Sequence, residues 1–398
     1  MNRIVNISIF GALINNENLG CQALTYSVVE LLERVGSVLD ISFHYNIFDL
    51  APDKQNTALF CRHVHVNPNK FTVIKSGNYG GILHELKHCR ENIVVKRCIQ
   101  NSEFAIDLTQ GDSFTDIYGQ YRFDDLTNCK TIIERCIPLI LGSQTYGPFR
   151  KPKNRKRAAK VIQKATAIIA RDKLSADYVE KISGVKPLLS CDLAFRLPYE
   201  NRSADRSGKK VGLNVSGLLY SSGSEGQGTD KSFVLKTDYD QYVDRIITYL
   251  IEIGYNVYLI GHVGSDYVVN KMLKEKYPSV ILAPEFDNPM DAKSYISSMD
   301  LFIGSRMHAT IAALTSNTPV VPVAYSRKFT GLFENVDYPY VVDLQTEDTN
   351  EAVQAVIDRI ENYDETKSAT EKSYQIAMRQ NDECLKAYED IIRKIIRA

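Results

Sequence analysis

Short apolar runs recur along this chain, each followed by a longer amphipathic stretch, and that alternation leaves few folds open. A run too short for a helix yet wholly apolar suits a strand buried on both faces. The amphipathic segments between such runs suit helices that cover a parallel sheet. In the first half, strands are expected near residues 4–10, 41–48, 104–108, 138–141 and 168–170, with helices over 22–35 and 155–165. Pro198, Asn201, Ser203, Asp205, Ser207 and Gly208 give residues 197–210 the composition of a linker. The pattern then restarts, with strands at 211–216, 257–260 and 301–303 and helices at 239–253 and 292–298. Beyond Tyr340 the chain turns charged, and helices are expected over 350–363 and 371–397. The expectation is an α/β protein of two Rossmann-like domains, 1–205 and 206–365, with a helical tail, 366–398, that crosses back. Residues 221–228, rich in serine and glycine, read as a loop that can cover a site.

One junction carries the most chemistry. Leu301-Phe302-Ile303 ends a buried strand, Gly304 allows a sharp turn, and Ser305 is expected to N-cap an alanine-rich helix that ends before Pro319. Unpaired N–H groups and the positive end of the peptide dipole make that first turn favourable for a phosphate or a carboxylate. Arg306 adds a permanent forked charge, and His308 adds a side chain able to give or take a proton near neutral pH. The next apolar run, 319–325, delivers Tyr325, Arg327 and Lys328 to the same edge of a parallel sheet, where ligands of such sheets sit. The expected occupant is an anion.

Polar loops at strand ends recur in the first half. Residues 11–24 form a polar turn into a helix and lack the G-x-G-x-x-G spacing of a dinucleotide fingerprint, while Asn18 and Gly20 lie where a ligand would meet a helix start. Asp112 and Asp116 follow the strand at 106–108, and a sugar site wants carboxylates that bond hydroxyls or act as a base; Asp112 read alone is an N-cap. Gln144 lies in a loop of hydroxyl and amide groups after another strand, and Arg171 follows a fourth.

Lysine plus arginine and aspartate plus glutamate number 48 each, so no basic excess points to a nucleic-acid partner. The eight cysteines show no C-x-x-C pair, and no metal-ligand cluster is required, His63 and His65 being read as part of an exposed strand or loop. No run approaches the length of a membrane span, and the first residues read as a strand rather than a signal peptide. A cytoplasmic setting is expected. The basic, apolar tail Ile391-Ile392-Arg393-Lys394-Ile395-Ile396-Arg397 reads as an amphipathic helix packed on a domain, with peripheral contact at the inner membrane face as the alternative.

With these residues identified, the chain resembles the polysaccharide pyruvyl transferase family. The resemblance is most specific in Ile303-Gly304-Ser305-Arg306-Met307-His308-Ala309-Thr310 and in Ala324-Tyr325-Ser326-Arg327-Lys328-Phe329-Thr330-Gly331. It extends through Gly111-Asp112-Ser113-Phe114-Thr115-Asp116, Gly142-Ser143-Gln144-Thr145-Tyr146-Gly147, Ala170-Arg171-Asp172 and Val211-Gly212-Leu213-Asn214 in the family's order. Two departures stand out. Gly20 precedes Cys21 and Gln22 where an acidic residue is common, and Gly261-His262 replaces the usual Pro-His.

The resemblance implies a GT-B-like pair of Rossmann-like domains with an interdomain crevice, no cofactor, and phosphoenolpyruvate as co-substrate. It implies an acceptor sugar in a polysaccharide or its lipid-linked precursor, converted to a cyclic pyruvate ketal with release of phosphate. His308 is then the expected acid, with Arg306 and Lys328 on the anion. Arg171, Ser305, Tyr325, His262, Asn18 and Gln144 are expected to line the substrate, and Asp112 or Asp116 to orient or deprotonate the acceptor. The competing expectations are a nucleotide-sugar glycosyltransferase of the same architecture and a noncatalytic glycan-binding protein.

Overall fold

The computed structural model describes residues 3–49, 53–75, 89–220 and 234–397; the expected loop at 221–228 lies outside them. The chain divides into two compact units. Unit 1 comprises Met1–Asn16, Leu24–Arg196 and Gln380–Ala398, and unit 2 comprises Glu17–Ala23 and Leu197–Arg379.

Unit 1 follows the strand–helix alternation from β1 (Arg3–Phe10) through α1 (Leu19–Leu39), β2 (Ile41–Asp49), α2 (Lys54–His63) and β3 (Phe71–Lys75). It continues through α3 (Cys89–Gln100), β4 (Phe104–Asp107), α4 (Gln120–Glu134), β5 (Leu139–Gln144), α5 (Pro152–Lys164), β6 (Ala167–Ala170), α6 (Lys173–Ser183) and β7 (Leu188–Leu189). The strands pair in parallel in the order β3-β2-β1-β4-β5-β6-β7. Every residue of β4 and β5 is buried, as expected for central parallel strands covered on both faces.

Unit 2 repeats the plan with β8 (Lys210–Asn214), α7 (Tyr239–Glu252), β9 (Asn256–Leu259), α8 (Gly264–Lys276), β10 (Ile281–Leu282) and α9 (Pro289–Ser297). It closes with β11 (Leu301–Gly304), α10 (Met307–Thr315), β12 (Val320–Ala324), α11 (Arg327–Glu334), β13 (Val342–Asp343) and α12 (Thr349–Glu361). The order is β10-β9-β8-β11-β12-β13, again parallel. Pro322 sits within β12 without costing a rung to β11. The Val320 N–H donates to Thr370 Oγ1 on the far side, and the nitrogen of Pro322, two residues on, faces the same way.

The units are therefore both Rossmann-like, as the apolar alternation predicts. In each, successive connections leave the first strand in opposite directions, so a topological switch point falls between β1 and β4 and between β8 and β11. The tail differs from expectation in starting earlier. α13 (Tyr363–Arg397) is one continuous 35-residue helix, and Tyr388 and Ile392 on its buried face are sealed into unit 1. No helix among the described residues is long and apolar enough to cross a membrane.

Candidate active site

At the switch point of unit 2, the last residues of β8 and β11 meet. Asn214, buried at the end of β8, accepts from the backbone N–H of Ser305 through its carbonyl (3.1 Å) and from that of Arg306 through Oδ1 (2.9 Å), while its Nδ2 donates to the carbonyl of Ile260 (2.8 Å). These bonds keep the chain extended through residue 306. The N-cap of α10 is therefore Arg306, with φ −107° and ψ 122°, and not Ser305, whose N–H already belongs to β8. The correction matters because it places the Arg306 side chain at the mouth of the helix and His308 inside its first turn.

The Arg306 guanidinium is bound along one edge by Asp266. Its Nη2 donates to Asp266 Oδ1 at 2.7 Å, and Nε lies 3.1 Å from the same oxygen. Burial alone would depress the Arg306 pKa, but Asp266, with Tyr325 and Tyr239 contributing, holds it above its ordinary value. The charge is permanent.

His262 follows β9 and is 3% exposed, and neither ring nitrogen has a hydrogen-bond partner among the described residues. Burial, and the nearby His308 and Arg306, push its imidazole down to about 3, so it is neutral at physiological pH. A buried, neutral ring with two open nitrogens is a hydrogen-bonding group awaiting a partner. Ser216 after β8 and Ser326 after β12 likewise bury hydroxyls with no partner among the described residues.

The start of α1 belongs with this unit. Asn18 Oδ1 caps it by accepting from the Gly20 N–H (3.0 Å), and the Leu19 N–H donates to the His262 carbonyl (3.1 Å). Gly20 lies against His308 so closely that an added Cβ would stand 2.3 Å from Nδ1 and 2.9 Å from the histidine Cβ. That close approach explains glycine at position 20. Tyr325 is buried at the end of β12 with its ring edge-on to Phe329, and Lys328 is half-buried in the first turn of α11. Of the residues singled out from sequence, unit 2 thus holds Asn18, His262, Ser305, Arg306, His308, Tyr325 and Lys328.

The remaining four belong to unit 1. Arg171 is 2% exposed, with Nη1 on Asp192 (2.6 Å) and Nε on Thr145 (2.8 Å), while its Nη2 has no partner among the described residues. Gln144 is fully buried and donates to the Asp107 carbonyl (3.0 Å). Asp116 is a helix-capping carboxylate: it accepts from the N–H groups of Arg150 (2.8 Å) and Lys151 (3.0 Å) and from Asn154 Nδ2 (3.0 Å) at the start of α5. Burial works against the charge there, but those donors hold its pKa below the usual carboxylate value. A carboxylate so engaged is a weak base. Asp112 is half-buried, 3.3 Å from the Tyr118 hydroxyl.

Sequence reasoning missed Asp266 and Asn214, which set the Arg306 geometry, and in unit 1 the buried pair Asp107 and Lys130 (2.6 Å), which holds the loop after β4. Thr109, Gln110 and Gly111 in that loop all have positive φ (44°, 53° and 86°).

Solved structures with this fold include HepE of Anabaena, determined with UDP and glucose (TM-score 0.58, 10% identity, 100% of both chains), and the UDP-GlcNAc 2-epimerase of Neisseria meningitidis bound to UDP-GlcNAc (TM-score 0.60, 12% identity, 98% of this chain and 100% of that one). The fold class is that of GT-B-like paired Rossmann domains. The signature described as polysaccharide pyruvyl transferase matches residues 18–327, and the chain belongs to that family. A curated relative is the amylovoran biosynthesis protein AmsJ of Erwinia amylovora, 24% identical. The match spans 66% of this chain and 66% of AmsJ.

Proposed function

We propose that the protein transfers pyruvate from phosphoenolpyruvate to a sugar of a cell-surface polysaccharide or its precursor, forming a cyclic ketal. The observation that carries this reading is Arg306, charged and bound along one edge, standing at a switch point beside a helix start and the open nitrogens of His262. Such a place favours a small, doubly anionic ligand. Arg306 and Lys328 hold the carboxylate and phosphate, with the α10 N–H groups adding to the field.

In the reaction, the enol's methylene carbon takes a proton from His308 and becomes a methyl group. A sugar hydroxyl oxygen bonds to C2. The bond from C2 to the bridging oxygen then breaks, and phosphate leaves with the electron pair. A second hydroxyl oxygen bonds to C2 and closes the ring. Of the two hydroxyl protons, one restores His308 and the other leaves with phosphate. Asp112 is the carboxylate assigned to the acceptor, because the oxygens of Asp116 are engaged in capping α5. No resident cofactor is needed for these steps. In unit 1 Arg171 holds the Thr145 hydroxyl and Gln144 holds the carbonyl of Asp107, at the end of the strand that leads to Asp112.

Phosphoenolpyruvate with pooled free and lipid-linked oligosaccharides is expected to give acceptor-dependent phosphate and acid-labile pyruvate on the glycan, while UDP-sugars give no turnover. Turnover of a UDP-sugar, with phosphoenolpyruvate inert, would replace this reading by glycosyl transfer. Gly20→Ala should lower turnover about 100-fold, since the methyl group displaces His308 by an ångström or so. It should not lower the melting temperature through the helix itself, because alanine is the better helix former by about 1 kcal/mol. Unchanged kcat in Gly20→Ala would remove His308 from the acid role.

A further inference from the structure

Asp266 lies in the first turn of α8 and is fully buried. Its Oδ1 accepts from the Gly217 N–H (2.8 Å) in the loop after β8, and from Arg306 Nη2 (2.7 Å) and Nε (3.1 Å) after β11. Its Oδ2 accepts from the N–H groups of His262 and Val263 (both 3.1 Å) in the loop after β9. One carboxylate therefore ties together the three loops at the switch point. It is satisfied in full by backbone and guanidinium donors, which is what allows an acidic group to be buried there.

The consequence for Arg306 is geometric. Nε is taken by Asp266, and Nη2 is divided between Asp266 and Ser265 Oγ (3.2 Å). Nη1 has no partner among the described residues, and the side chain retains 12% of its exposure. A guanidinium free to turn would offer an anion its paired Nε and Nη2 edge. Held as it is, it presents Nη1 end-on.

We infer that Asp266 is a positioning residue, fixing Arg306 so that its Nη1 meets the anionic donor and setting the backbone that carries His262. The inference rests on the proposed use of Arg306, but its core, that Asp266 fixes the guanidinium, is testable without the reaction. Asp266→Asn keeps the shape while placing an amide N–H₂ against donors it cannot accept from, so Arg306 is released. Two readouts apply to the full chain. The first is the rate at which phenylglyoxal labels Arg306, followed by peptide mass spectrometry. The second is the KM for phosphoenolpyruvate, which does not depend on how much protein is folded.

In Asp266→Asn, labelling should rise at least threefold, and KM should rise about tenfold with a smaller change in kcat. Ser265→Ala, which removes only the weaker support of Nη2, should fold normally and shift both in the same direction by about twofold. Unchanged labelling in both variants would overturn the positioning role whatever the substrate. In Asp266→Asn, labelling that rises while KM stays within twofold of the parent would overturn the link to the donor. A KM unchanged alongside a kcat reduced only in proportion to folded protein would mark Asp266 as merely structural. If the parent protein turns over no phosphoenolpyruvate, the functional reading fails and labelling alone decides whether Asp266 fixes Arg306.

Discussion

Arg306→Ala should lower acceptor-dependent phosphate release from phosphoenolpyruvate by about 100- to 1000-fold, the usual consequence of removing a preorganised group aimed at developing charge. It should also destabilise unit 2. Asp266 is fully buried and loses its only side-chain counter-charge among the described residues, and stranding a buried carboxylate costs about 3 kcal/mol or more. The three backbone N–H groups that remain on Asp266 place the cost at the low end of that range. Arg306→Lys separates the two effects. An ammonium restores the counter-charge but has one nitrogen where the guanidinium has three, so it cannot hold Asp266 and also present a separate nitrogen to the anion, and stability should recover more than activity. Urea unfolding and steady-state kinetics on the three proteins would check both. Activity in Arg306→Ala within a few fold of the parent would remove Arg306 from the anion site.

The strand-to-helix junction at Arg306 and His308 is legible in sequence because a strand end, a glycine and a helix start are local signals, and parallel sheets gather such ends at one edge. Asp266 is not legible in that way. Read locally it is an acidic residue in a helix first turn, the commonest of capping groups, and here it does cap α8 through the Val263 N–H. Its second role exists only because the parallel register sets β9, β8 and β11 side by side, bringing Gly217, His262 and Arg306 to one carboxylate from remote parts of the chain. The shift of the N-cap from Ser305 to Arg306 has the same origin: Asn214 claims both N–H groups and prolongs the strand. The placement of Glu17–Ala23 with unit 2 is likewise set by contacts with His262 and His308, which no local pattern in that loop announces.

Lys130 is the most hidden case, a lysine on α4 that would ordinarily be assigned to solvent yet is fully buried. Its ammonium sits 2.6 Å from Asp107 Oδ2, 2.9 Å from Thr109 Oγ1 and 4.5 Å from the centre of the Phe114 ring. Asp107 in turn accepts from the N–H (2.8 Å) and the hydroxyl (2.7 Å) of Thr109, a β-branched residue held at φ 44°. Such a backbone is costly and persists only where its surroundings over-determine it. Lys130→Met should therefore destabilise the protein by about 3–5 kcal/mol, because Asp107 is left buried without its cation. In Asp107→Asn/Lys130→Met the second substitution should cost at least about 1 kcal/mol less than it does alone, since the stranded charge is gone. The double variant should still raise the acceptor KM, because relaxing Thr109–Gly111 moves Asp112, the carboxylate proposed for the acceptor. Denaturant unfolding of the four proteins in the cycle, with acceptor KM for the double variant, measures both. A Lys130→Met protein as stable as the parent would mean that backbone bonds alone, from Gly111 N–H to the Leu108 carbonyl and from Gln110 N–H to the Gly11 carbonyl, suffice to hold the loop.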